Sequence, residues 1–324
     1  MITVFVVQPA PARVVQAHLL SRTPFNEKVG KENIAMRYRY MLFACILVLT
    51  ADVVLAIEET RQVFVYDDYA AVLKDHVDDK GMVDYKKFKA APQRLDAFIT
   101  AMSKVNPKNY DRWNKEEKIA LWLNAYNALT LKALIDNYPI KSSFFRSRIY
   151  PKNSIRQIPG VWSKIKFNVM GRDLTLGHIE HEILRKKFTE PRIHMAMVCA
   201  AMGCPPLLNK PYTAQKLNEQ LDERTRRFLA NPAKFKIDRS AGVVYLSTIF
   251  KWFKGDFVTR YAPDKNISKQ GKEVSSVLNF IAGHLEKSDR EYILKGDFKI
   301  KYLKYDWSLN EQQIKDKKSK ESKE

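Results

Sequence analysis

The sequence predicts an α+β fold, and three observations carry that prediction. Amphipathic helices and short alternating stretches follow one another without the regular strand–helix–strand order of a parallel sheet. Residues 115–137 are hydrophobic on nearly every face, which marks a central buried helix. No period of 20–50 residues repeats and no Gly/Ser- or Pro-rich linker divides the chain. A single mixed domain with a small antiparallel or mixed sheet follows.

In chain order, Asp67 to Val77 reads as a helix, with Tyr69, Val72, Leu73 and His76 at helical spacing. Gly81 to Tyr85 reads as a turn into a short extended piece. Residues 91–104 form an amphipathic helix through Leu95, Phe98, Ile99 and Met102. Pro139 closes the buried helix at 115–137. Ile165 to Leu176 alternates around Met170 to Asp173 and predicts a hairpin. A short helix follows to about Lys187, with Thr175 as its N-cap. Ile193 to Cys199, an apolar run just after Pro191, is predicted to be a buried strand. Residues 213–230 read as a charged helix capped by Thr213, and Phe235 to Leu246 as a second hairpin. A helix at 272–286 and a strand near 299–304 complete the prediction.

The 324 residues are 45% hydrophobic and 28% charged, which excludes global disorder. The N-terminus resembles an export signal displaced from the start. Met36 to Tyr40 is basic, residues 41–56 are apolar, and Val54-Leu55-Ala56 places small side chains before a sharp change to charge. Cleavage after Ala56 is expected, with residues 36–56 as signal peptide and 1–35 as a mis-assigned extension. The apolar stretch is short and interrupted by Asp52, so no transmembrane segment is expected after cleavage. The domain is expected to span 57–310, with a charged tail at 311–324. A periplasmic or secreted location follows.

The net charge is +20. Residues 1–56 hold six basic and three acidic side chains, leaving +17 on residues 57–324. That charge is scattered and accompanies no nucleic-acid motif, so an anionic envelope surface is the expected partner and nucleic acid is not. The three cysteines are too few for a disulfide-dense scaffold.

Chemistry concentrates in three clusters. Asn124 and Asn127, three apart, share a face of an otherwise apolar helix. They either tie neighbouring backbone into the core or orient a histidine or substrate carbonyl. In the segment 178–185, Ile179 and Ile183 face the core, and His178 and His181 share another face with Arg185 one turn beyond. Two histidines without a third ligand do not make a metal site, and no metal or cofactor is expected. His181 is a candidate general base, with Glu180 beside it. In the segment 192–207, alternation would place His194, Ala196 and Val198 on one face and Met195, Met197 and Cys199 on the other. Cys199 and Cys204 are five apart, which matches neither C-x-x-C nor the usual zinc spacing. A structural disulfide, a histidine-activated thiolate and two inert thiols all fit.

The stretches Leu123–Thr130, Leu176–Arg185, Arg192–His194, Cys199–Leu207, Phe250–Phe257 and Tyr305–Asn310 resemble the domain-of-unknown-function 547 family, in that family's order from about Asp84 to Asn310. The resemblance implies an exported bacterial protein of unestablished activity. It also implies that Cys199 is the better nucleophile candidate, since some relatives keep only that cysteine. The long helix with Asn124, followed by a strand with His194, also resembles papain- or transglutaminase-like folds. Those folds would want Cys where Asn124 or Asn127 stands, which leaves room for a non-catalytic descendant.

The expected function is cysteine-dependent hydrolysis or acyl transfer. Cys199 or Cys204 would be the nucleophile, His194 or His181 the base, and Glu180 or Asn124 the orienting member. Asn127, Arg185 and Arg192 would contact substrate. A periplasmic binding or interaction module and a thiol–disulfide redox protein are the alternatives.

Overall fold

The computed structural model describes residues 63–313. The expected extension, the signal peptide and the tail beyond Gln313 lie outside the described residues. Five helices lead: α1 (Asp67–His76), α2 (Tyr85–Ala90), α3 (Gln93–Ser103), α4 (Pro107–Asp111) and α5 (Lys115–Asp136). The start of α5 is set by a capping box. The Asn114 side chain accepts from the Glu117 N–H, and the Glu117 carboxylate accepts from the Asn114 N–H. Its middle is buried on every face from Ile119 to Leu131, as all-round hydrophobicity requires.

Gly81 to Tyr85 departs from expectation. Only Val83 is extended, bridging Val77 and Glu311. Asp84 then caps α2 by accepting the Lys87 N–H, a signal the sequence carried.

β1 (Lys166–Val169) and β2 (Arg172–Thr175) form the first hairpin, with Phe167 opposite Leu174. Helix α6 follows over residues 176–187, and the Thr175 hydroxyl accepts the His178 N–H at its start. Its middle, Ile179–Leu184, is π-helical, and Ile179, Glu180, Ile183 and Leu184 are buried there.

The expected strand at 193–199 does not form. Pro191–Met195 is a 3₁₀ helix capped by Glu190, and Ala196 to Cys199 is irregular. Two faces are therefore not separated; Ile193 through Val198 are all buried. An apolar run bordered by Pro is compatible with any buried conformation. The helix-and-strand pairing behind the papain-like resemblance is absent with it.

Helix α7 (Leu217–Leu229) is preceded by a 3₁₀ turn, Ala214–Lys216, so Thr213 precedes that turn and not the helix, and its side chain makes no cap bond. β3 (Phe235–Asp238) and β4 (Val243–Ser247) pair antiparallel. After α8 (Thr248–Trp252), α9 (Val258–Tyr261), α10 (Lys272–Ala282) and α11 (Lys287–Lys295), β5 (Lys299–Leu303) joins β4 in parallel. The helix expected at 272–286 is α10, which ends at Ala282, and α11 follows it where no helix was expected. The sheet order β3-β4-β5 is mixed, and the class is α+β.

The core has two centres. One surrounds α5, and the other lies between α10 and the three-stranded sheet. Ile193 belongs to the first and Met195 to the second, so the 193–204 segment runs along their seam. The last described residues are part of the fold, past the expected boundary at 310: the Gln312 N–H donates to Val83 O, and the Tyr138 hydroxyl donates to Glu311. Among the described residues no helix is long and apolar enough to cross a membrane.

Candidate active site

The segment before Cys199 is held by an amide and not by a neighbouring strand. Asn127 Nδ2 donates to Ala196 O at 3.0 Å, and its Oδ1 accepts the Val198 N–H at 2.8 Å. Asn124 does the same to Tyr212, donating to its O at 2.8 Å and accepting its N–H at 2.9 Å. Both side chains are buried, so their backbone partners have no water to fall back on. Asn127→Ala is expected to destabilise the fold by about 2–4 kcal/mol, since it leaves a buried N–H and a buried C=O unpaired. Urea unfolding checks this; a change within about 0.5 kcal/mol would refute the clamp.

Beyond Val198 the chain turns sharply. Ala200 has a φ of 57°, and the loop docks on the C-terminal strip: Met202 N–H donates to Ser308 O and Gly203 N–H to Asp306 O, both at 2.7 Å. A Cβ on Gly203 would lie 2.6 Å from the Tyr305 ring, so glycine lets that ring close over the loop. There Cys199 and Cys204 form a disulfide, with Cα atoms 6.2 Å apart. The Tyr305 hydroxyl lies 3.2 Å from Cys199 Sγ and 3.0 Å from Cys204 Sγ. The Cys199 N–H donates to Cys204 Sγ at 3.0 Å. Burial pushes the Tyr305 phenol far above its ordinary range, with the charges of Glu180 and Asp306 adding to it. It therefore remains a neutral O–H donor.

The disulfide forms one wall of a cleft of about 310 Å³. Glu180, His181 and His194 line the same cleft. Glu180 comes from the π-helical turn, a distortion that often accompanies functional residues. Tyr126 donates to Glu180 Oε2 at 3.0 Å, and burial, then the Glu180 charge, keeps that phenol protonated.

His194 Nε2 lies 2.8 Å from Asp256 Oδ2. Arg185 grips the same carboxylate through both oxygens, at 2.7 and 2.9 Å. Its third nitrogen lies 2.9 Å from His181 Nδ1. A guanidinium can only donate, so Nδ1 accepts and His181 carries its proton on Nε2. Burial pushes Asp256 up, but the hydrogen bonds from His194 and Arg185 and the positive charge of Arg185 outweigh it and hold the carboxyl far below its usual range. His194 thus donates through Nε2, and any base chemistry it performs falls to Nδ1. The ring stacks on Phe253 at 4.2 Å.

Much of the remaining lining is aromatic. Trp162, Trp252, Tyr305 and Trp307 line the cleft, and Arg156 lies over Trp162 and Trp307 at 5.4 and 5.1 Å. Among the described residues no three His, Cys, Asp or Glu side chains converge as a metal site.

Residues 110–229 match the family model described as "Protein of unknown function, DUF547". That part of the chain is similar to the DUF547 family. No curated protein and no solved structure matches the chain. The DUF547 segment supplies Tyr126, Glu180, His181, His194 and both cysteines, whereas Asp256 and Tyr305, which bind the histidine and the sulfurs, lie outside it.

Of the residues singled out from sequence, Cys199, Cys204, Glu180, His181 and His194 meet at one cleft, with Arg185 bonded to His181 there and to Asp256, the partner of His194. Asn124, Asn127 and Arg192 are placed elsewhere. Asn124 and Asn127 hold backbone, as above. Arg192 is buried and donates to Glu190, Asp222 and Asn218, which fastens the 3₁₀ helix to α7, so it has no donor turned to the cleft. The sequence reading missed Asp256, Tyr305 and the tryptophans as site residues. Asp256, Trp252, Tyr305 and Trp307 stand in Phe250–Phe257 and Tyr305–Asn310, stretches that carry the family resemblance, and Trp162 stands in neither.

Proposed function

We propose that this protein is an exported thiol–disulfide exchange protein whose working bond is Cys199–Cys204. One observation carries the reading: the bond borders an aromatic cleft, and one of its sulfurs already receives two hydrogen bonds. Cys199 is half-buried and Cys204 fully buried. An incoming thiol gives up its proton, with Glu180 as the candidate acceptor in the cleft, and its thiolate attacks Cys199 Sγ. The Cys199–Cys204 bond breaks as the mixed disulfide forms, and the electron pair leaves on Cys204 Sγ. The Tyr305 O–H and the Cys199 N–H stabilise that thiolate, as donors to ionised acceptors do. A second thiol then displaces Cys199. Two thiols become one disulfide and the protein pair is reduced; run backwards, the same steps reduce a substrate disulfide.

Thiol counting tests this. Residues 199–204 are expected to gain two reactive thiols after mild reductant and to lose both again on exposure to a small linear disulfide such as oxidised glutathione. A pair that stays reduced under that oxidant would overturn the proposal.

A second reading, cysteine-dependent acyl transfer, rests on the His194–Asp256 pair, whose histidine lines the same cleft. It requires the reduced protein, with Cys199 attacking an acyl carbon and His194 or His181 moving the proton. Ester or thioester cleavage that appears only after reduction would favour it.

A further inference from the structure

The loop 141–152 joins α5 to the cleft, and it exposes what soluble surfaces usually hide. Among the described residues the three most exposed large hydrophobic side chains all lie on it: Phe145 and Ile149 at 75% and Phe144 at 69%. Contiguous exposed apolar groups of this kind mark interaction surfaces. The loop also carries Lys141, Arg146, Arg148 and Lys152 and no acidic residue.

It is built to hold this shape. Buried Gln157 accepts the Ser143 N–H at 3.0 Å and donates to Pro151 O at 3.0 Å, and Arg146 donates to the Arg156 and Gln157 carbonyls. Phe144 and Phe145 meet edge to face at 5.6 Å, with the Arg148 guanidinium 4.7 Å from the Phe144 ring. A surface loop with no partner would not need such bracing to keep two phenylalanines and an isoleucine in water.

We propose that this loop docks the protein on an anionic phospholipid bilayer, with Phe144, Phe145 and Ile149 inserted at the headgroup boundary and Lys141, Arg148 and Lys152 on the lipid phosphates. Charge complementarity selects this occupant: a rim of cations around apolar tips fits a surface that is negative above and apolar beneath. Arg156, which lines the cleft, bonds to Tyr150 at the end of the loop, so docking brings the cleft close to the bilayer. The inference does not depend on the thiol chemistry.

The test uses the full chain and vesicles of phosphatidylcholine with or without phosphatidylglycerol. The apolar stretch 41–56 can bind lipid by itself, so the readout must be local. Phe145→Trp is compared with wild type, and its added emission is expected to shift to the blue and be quenched by brominated anionic vesicles. Lys141→Gln/Arg148→Gln/Lys152→Gln is expected to weaken that signal by about fivefold per charge removed, and added salt to weaken it further. Phe144→Ala/Ile149→Ala in the Phe145→Trp background is expected to weaken it by about tenfold or more, with unfolding unchanged because both side chains are exposed. No blue shift with anionic vesicles would overturn the proposal. So would a shift that appears without lipid and depends on protein concentration, which would give the face to a second copy.

Discussion

Cys204→Ser is expected to accumulate a stable mixed disulfide on Cys199 when incubated with a small disulfide, while Cys199→Ser is expected to form its adduct at least about tenfold more slowly. The asymmetry follows from access and from hydrogen bonding. Cys199 is the half-buried sulfur at the cleft, whereas Cys204 is 5% exposed. In Cys204→Ser the Cys199 thiolate attacks the small disulfide, forms Cys199–S–S–R and releases RS⁻. With no second cysteine that adduct persists. In the reduced wild type, the Cys204 thiolate resolves it and restores the internal bond. Tyr305→Phe keeps both cysteines but removes a donor to the leaving sulfur, and exchange should slow by about tenfold, the equivalent of one hydrogen bond to a charged group. The variants should still fold. The bond closes so short a loop that its loss removes only about 2 kcal/mol in the chain-entropy account. Intact-protein mass after timed quenching reads all three. A faster adduct on Cys199→Ser than on Cys204→Ser would reverse the assignment of the attacked sulfur.

The parts of the fold legible in the sequence were those with strong local signals. The buried helix at 115–137 announced itself by hydrophobicity on all faces and by Pro139, and its observed limits, Lys115–Asp136, agree to one residue at the end. Both hairpins were legible from alternation around a turn, and Thr175 from its position before an apolar repeat. What failed was the segment 193–199. Its backbone partner is a side chain 71 residues away in sequence, Asn127, and no local pattern encodes that. Alternation assigned two faces to a segment that runs along the seam between two cores and has none.

The candidate site was legible in its composition and not in its geometry. Histidine, glutamate and cysteine stand out because packing alone does not require them, and five of them do meet at a cleft. Buried asparagines stand out for the same reason, yet their amides serve the backbone. Residue type cannot separate those two uses, because both satisfy the rule that buried polar groups find partners. The aromatic wall was invisible for the opposite reason. Tryptophan and tyrosine are ordinary core residues until a cleft opens beside them, as it does beside Trp252 and Trp307.

Asp256→Asn is expected to lower stability by about 3 kcal/mol at neutral pH. The carboxylate receives both arms of Arg185 and the Nε2–H of His194, whose side chain is 1% exposed. An amide has one acceptor oxygen and turns an NH₂ toward one of those donors. Arg185 and Asp256 are about one-quarter exposed, so water relieves part of the loss and the low end of the range for broken buried pairs applies. For a domain of this size that is a fall in Tm of about 6–12 °C. The pH dependence supplies a second reading. The folded carboxyl lies far below the ordinary aspartate value near 3.9, so its contribution is complete above that value and is lost as pH falls toward the folded one. The gap between wild type and Asp256→Asn should therefore be constant from about pH 5 to 8 and shrink below about pH 4. Asp289→Asn, which removes a half-exposed pair with Arg239, is the control and should change stability by less than about 0.5 kcal/mol. If thermal unfolding gave both variants the same small loss, or if the Asp256→Asn gap stayed flat down to pH 2, the carboxylate would not be the tie that holds His194 and Arg185 at the cleft.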